Sequence, residues 1–176
     1  MLQLINLKNT LLVGAVTLLA SCSGQKEVKM GSYAYDAQFL KENGIEYTEL
    51  VSADGNSKVM IVPAWQGRVM TTSASGDEGD SYGWINYRFI REGKVSPQFN
   101  PVGGEERFWL GPEGGPFSLY FKEGQEQVYD NWVVPTVLDT EAFAIKSQDD
   151  SSVHFVKDTR LTNASGTTFD MNIDRT

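Results

Sequence analysis

The sequence predicts an all-β protein, an antiparallel β-sandwich with one short N-terminal helix. Three observations carry this. From Ile45 onward the apolar residues recur with a period of two rather than 3.6. Clusters of Gly, Asn, Asp and Ser break the chain at short intervals, as hairpin turns require. Only one stretch, Tyr35–Asn43, has helical composition. Many short strands with Gly-rich turns have to bury their apolar faces against each other, and a sandwich does so.

In Tyr35–Asn43, Phe39 and Leu40 form the apolar pair and Asn43-Gly44 is a stop signal. Ile45, Tyr47, Glu49 and Val51 then alternate with Glu46, Thr48 and Leu50, an imperfect strand. Asp54-Gly55 is a hairpin signal. Lys58–Pro63 and Arg68–Thr72 read as the next strands, joined at Trp65-Gln66-Gly67. Ser73–Ser81 is a polar loop, and Trp84–Ile90 is apolar and aromatic. Arg107–Leu110, Phe117–Phe121, Thr136–Lys146, Ser152–Asp158 and Thr167–Ile173 are further expected strands. The last runs to Asp174-Arg175-Thr176 with no closing turn, so 33–176 is expected to be the N-terminal portion of a larger sandwich.

Ahead of the domain, a basic Lys8 precedes the apolar run Leu11–Leu19, which meets Leu19-Ala20-Ser21-Cys22. The run is too short for a spanning helix, which needs roughly 20 residues. It has the form of a secretory signal with a small-residue cleavage site. The set Leu-Ala-Ser-Cys resembles a bacterial lipobox. That resemblance implies a signal peptide over 1–21, lipidation of Cys22, and a membrane anchor in the cell envelope outside the cytoplasm, at the outer membrane in a diderm cell. More than one acyl chain on one cysteine anchors stably, at roughly 0.8 kcal/mol per buried CH₂. Residues 22–32 then read as a flexible spacer.

The chain of 176 residues carries a net charge of −8, which argues against nucleic acid as a partner. Cys22 is the only cysteine, so no disulfide joins two residues of the domain. Four Trp, seven Tyr and nine Phe supply packing and stacking surface instead.

Two segments carry a family resemblance. Val59–Met70, with Ala64-Trp65-Gln66-Gly67-Arg68 at its turn, resembles the opening hairpin of galactose mutarotase-like proteins, Gln66 standing where those have a first glycine. Gly103-Gly104-Glu105-Glu106-Arg107-Phe108-Trp109-Leu110-Gly111-Pro112-Glu113 is similar to the Gly-Gly-x-Arg-x-Trp-x-x-Pro-Glu segment of several such sugar-binding families. The layout also resembles an uncharacterised lipoprotein family of gut-type Bacteroidetes. The resemblance implies a supersandwich that binds carbohydrate on a concave sheet face. Sugar epimerases of this fold use a histidine acid and a late carboxylate base. His154, in Val153-His154-Phe155-Val156, lacks their histidine motif, so mutarotation is not expected.

The candidate site follows from the second segment. Two glycines let backbone approach a ligand. Arg107 offers five donors for hydroxyl groups, and Trp109 offers a face for the C–H surface of a sugar ring. Glu105 and Glu113 offer acceptors. Strand alternation would put Arg107 and Trp109 on one face, and Trp84 and Asn86 likewise. The bland alternative is a structural turn, with Arg107 paired to Glu106 or Glu113 and Trp109 in a core. Trp65 and Trp132 read as packing residues and Arg68 as structural. Asp77-Glu78-Gly79-Asp80 reads as a solvated acidic loop rather than a calcium site. No metal and no cofactor is expected. The expected function is carbohydrate binding by a lipid-anchored domain. The alternatives are an epimerase or other carbohydrate-active enzyme whose base lies beyond Thr176, and a structural envelope lipoprotein.

Overall fold

The computed structural model describes residues 28–176. The signal segment 1–21, the lipidation candidate Cys22 and the spacer as far as residue 27 lie outside the described residues. Helix α1 spans Tyr33–Glu42. Ser32 caps it, its hydroxyl accepting from the Tyr35 amide at 3.2 Å, an arrangement worth about 1 kcal/mol. The first-turn amides of Tyr33 and Ala34 donate to the carbonyls of Gly79 and Asp77. The acidic loop is therefore the structural seat of the helix N-terminus. At the other end Asn43 bonds back to the Phe39 carbonyl and Gly44 takes φ +72°.

Two three-stranded antiparallel sheets follow. The first has β1 (Thr48–Val51), β2 (Lys58–Val62) and β3 (Arg68–Ser73) in sequence order. The second has β4 (Ala144–Gln148), β5 (Val153–Thr162) and β6 (Thr168–Arg175), again in order. Met60, Val62 and Met70 pack against Tyr33, Phe39 and Leu40 of α1. Ile61 packs instead with Val153, Phe155 and Ile173 of the second sheet, together with Tyr120, Val137, Leu138 and Phe143. The first sheet is thus covered on both faces, which is why Val59-Met60-Ile61-Val62 is a continuous apolar run rather than an alternation. A register shift at Met60/Ile61 accompanies the change of face. The protein is all-β and sandwich-like.

The β2–β3 connection is tight. Pro63–Trp65 make one 3-10 turn, and Gln66 and Gly67 both take positive φ, at 63° and 62°. A Cβ on Gly67 would stand 2.7 Å from the Phe155 ring, so glycine is what lets the turn meet the second sheet.

Four expectations need correction. Trp84–Ile90 is no strand: Asn86 caps a second short helix, α2 (Tyr87–Glu92), accepting from the Phe89 amide, and Gly93 ends it at φ +59°. Arg107–Leu110 and Phe117–Phe121 form no ladder. Gly111-Pro112 and Gly114-Gly115-Pro116 interrupt them, and proline has no amide to give a neighbour. The backbone of the second segment bonds to loops instead, Ala164 to Ser118 and Val133 to Tyr120. Thr136–Lys146 begins as a 3-10 turn over Thr136–Leu138 and becomes strand only at Ala144.

Candidate functional site

The Gly103–Glu106 segment is stitched between two neighbours. Gly103 bridges Ile85, the Gly104 amide donates to the Trp84 carbonyl at 2.8 Å, and the Glu105 amide donates to the Val69 carbonyl at 2.9 Å. No side chain fits here: a Cβ on Gly103 would stand 2.1 Å from the Trp84 oxygen, and one on Gly104 2.7 Å from the Arg68 Cδ. The two glutamates then cover the outer edge of β3. Glu105 Oε1 accepts from the Thr72 amide and, at 2.8 Å, from its hydroxyl. Glu106 Oε1 accepts from the Val69 amide at 3.0 Å and from Arg175 Nη2 at 2.9 Å. Arg175 also donates to the Gln66 carbonyl, so it clamps the end of β6 to the first sheet.

Arg107 pairs with neither Glu106 nor Glu113. Its Nη2 donates to Asp139 Oδ1 at 2.8 Å and to the Leu138 carbonyl at 2.7 Å. Asp139 is buried and also accepts from the Asn100 amide and, at 2.6 Å, from Asn100 Nδ2. The Asn100 side chain is itself held by both Ser96 backbone groups. Sequence reasoning missed Asp139 and Asn100. The only sequence signal is a lone acid after the apolar pair Val137-Leu138, which is too common to single out. Asp139 and Asn100 also line a mainly apolar cleft of about 230 Å³, together with Trp65, Phe89, Ile90 and Val95 among others.

The Arg107 guanidinium lies 4.5 Å from the Trp109 ring centre and 4.7 Å from that of Phe99. Arg107 and Trp109 therefore do meet, through contact rather than strand alternation. Trp109 begins a column of stacked rings. It lies on Tyr120 at 5.1 Å, Tyr120 on Trp132 at 5.8 Å, and Trp132 on Tyr129 at 6.3 Å. Phe99 meets Trp109 and Trp132 edge-on. Tyr120, within the column, is buried and its hydroxyl donates to the Leu110 carbonyl; of the two ends Trp109 is half-buried and Tyr129 is 74% exposed. Glu113 reaches this column too, accepting from Trp109 Nε1 at 2.8 Å. Trp132, expected as a packing residue, is part of the column.

The remaining expected residues stand apart. Asn86 caps α2 and donates to the Pro101 carbonyl. Trp84 is 63% exposed beside the glycine pair. Glu105 is occupied at the β3 edge. His154 pairs with Asp174 at 2.6 Å on the outer face of the second sheet. Asp77 pairs with Lys58. Among the described residues no group of three or more His, Cys, Asp or Glu is placed to hold a metal ion, and no helix is long and apolar enough to cross a membrane.

The electrostatics of the centre are lopsided. Arg68 is fully buried, yet its partners are neutral: the Gly103 carbonyl at 2.9 Å and Gln66 Oε1 at 2.7 Å. Burial, then the nearby Arg107 charge, lower its pKa to about 10, so it stays protonated at neutral pH. Gln66 Nε2, Arg68 Nε and Arg107 Nε are buried donors with no acceptor.

A family model described as a family of unknown function (DUF6786) matches residues 31–176. No curated protein matches the chain. No solved structure matches it.

Proposed function

The chain belongs to that family of unknown function, and we propose that it is a carbohydrate-binding protein. The observation that supports this is the aromatic column. Four rings stacked from Trp109 to the exposed Tyr129 hold a flat apolar face at the surface at little entropic cost, because the inner rings are already packed. Sugar rings present C–H surfaces to such faces and hydroxyls to the polar groups beside them. Arg107 and Glu113 both touch Trp109, at the other end of the column, and hold that end in place. The likeness of the β2–β3 hairpin and the Gly103–Glu113 segment to galactose mutarotase-like proteins is part of the same proposal. So is the anchor: diacylglycerol on Cys22 would hold the domain on an envelope membrane.

Tryptophan fluorescence of the full chain, titrated with a panel of neutral and acidic sugars, tests the binding. A saturable change is expected, and Tyr129→Ala should abolish or weaken it about tenfold while leaving the fold intact, since an exposed ring contributes little to stability. Absence of a saturable response to every sugar at millimolar concentration would overturn the reading. Metabolic labelling with palmitate tests the anchor; label persisting in Cys22→Ala would refute it.

A further inference from the structure

We propose that the cleft lined by Trp65, Phe89 and Lys94 binds a small carboxylate that carries an aromatic ring. The site is separate from the aromatic column, since none of those four stacked rings lines it, and it stands without the carbohydrate reading. Its volume of about 230 Å³ decides the size of the occupant. Pockets for drug-sized ligands run from roughly 300 Å³ upward, so this one suits a single ring with a short arm.

Three chain segments far apart in sequence build the walls, and each is pinned by its own contacts. Trp65 ends the 3-10 turn that Gln66 closes at φ 63°. Phe89 and Ile90 lie on α2, which is fixed by the Asn86 cap at one end and by Gly93 at the other. Asn100 and Asp139 are bonded to each other twice. Walls held in this way lose little freedom when a ligand enters. Trp65 and Phe89 are half-buried: each packs against the core and each also contributes to the cleft lining. Two aromatic side chains in one narrow lining favour a flat ring, met edge-on or in offset stacking.

The charge of the lining selects the substituent on the ring. Among the described residues that line the cleft, only Asp139 and Lys94 are charged. Asp139 is already matched by Arg107 at 2.8 Å, and both of its oxygens also accept from Asn100. Lys94 is exposed and forms no ion pair among the described residues. The acids nearest to the lining in sequence are engaged elsewhere. Glu92 pairs with Arg88, Glu141 pairs with Lys157, and Glu46 shares a separate surface hollow with Lys41. The lining therefore has one cation to spare, in a protein of net charge −8. A lysine ammonium is a hydrated point charge on a flexible stem, so it can meet a carboxylate at the rim while both stay in water. An aromatic acid offers both halves of the match, a ring for the hollow and a carboxylate for Lys94.

Calorimetry on the full chain compares phenylacetate with its uncharged amide, with hexanoate and with acetate. Phenylacetate should bind at millimolar concentration or below, about threefold or more tightly than phenylacetamide. That margin should shrink on moving from low to about 0.5 M salt. Lys94→Met should remove it, bringing acid and amide within about twofold of each other, with near-UV circular dichroism verifying the fold. Should that variant not fold, Val95→Glu serves instead. Val95 lines the cleft and is 74% exposed, so a like charge there should weaken phenylacetate about threefold or more. Phenylacetamide binding as tightly as the acid at low salt would overturn the part given to Lys94. Hexanoate binding as tightly as phenylacetate would overturn the preference for a ring. Acetate competing as well as phenylacetate would overturn the cleft in favour of an adventitious surface contact. No saturable response to phenylacetate would overturn the site as a whole, and sugar binding read through Tyr129 would be untouched by that result.

Discussion

Replacing Asp139 by Asn tests the centre of the molecule most directly. The two side chains have one shape, so packing is unchanged and the polar network alone is perturbed. Asp139 accepts three bonds, from Arg107 Nη2, the Asn100 amide and Asn100 Nδ2. An asparagine cannot accept on both sides, and its amide nitrogen would face either Asn100 Nδ2 or the Arg107 guanidinium. Asn100 cannot turn to help, because its Oδ1 and Nδ2 are bonded to the Ser96 amide and carbonyl at 2.7 and 2.9 Å. Removing one partner of a buried ion pair costs about 3–5 kcal/mol. Arg107 retains the Leu138 carbonyl and some solvent, which places this substitution near about 3 kcal/mol. In a domain of this size that lowers the melting temperature by roughly 6–12 °C. Urea unfolding at pH 7 gives the free energy, with an unchanged slope showing that the denatured state is unaltered. A loss below about 1 kcal/mol would refute the claim that Asp139 organises this cluster.

Two further outcomes are expected. Gly67→Ala should destabilise the sandwich by about 2 kcal/mol or more, because its Cβ would lie 2.7 Å from the Phe155 ring at φ +62°; Phe155→Leu in the same chain should recover part of that loss, and simple additivity in a double-mutant cycle would contradict the contact. Asp36 is buried, accepts from the Ser81 and Tyr87 hydroxyls, and has its pKa raised by burial. An acid with a raised folded pKa binds more protons folded than unfolded, so its contribution declines as pH rises from about 3.9 through the folded value. That descending component of the pH–stability curve should vanish in Asp36→Asn, and its persistence there would assign it to other groups.

Period-two reasoning together with turn signals located β1, β2, β3, β5 and β6, most plainly β5, where Val153 and Phe155 are buried on one face. It succeeded even for Val59–Val62, where both faces are buried, since Asp54-Gly55 and Gln66-Gly67 mark the ends. It failed between Trp84 and Phe143. There the chain satisfies its backbone through side chains and through contacts distant in sequence, such as Asn100 with Asp139, and no short-range pattern encodes those. Helix α2 is only six residues long, below the length at which apolar periodicity is readable. The Arg107–Trp109 contact was legible as a spacing of two, although a guanidinium lying on an indole brings them together rather than a pleat. The partner of Arg107 was not legible, because two nearby glutamates looked more available than an aspartate 32 positions away.

Glu105 and Glu106 close the β3 edge with carboxylates where another sheet would use a strand. A covering strand would leave a further edge of its own, whereas side-chain carboxylates satisfy the amides and end the sheet there. A neighbouring molecule's strand would have to displace both carboxylates before it could pair with these amides. The same two residues that follow the glycine pair thus act as gatekeepers of an edge that would otherwise be open to another chain.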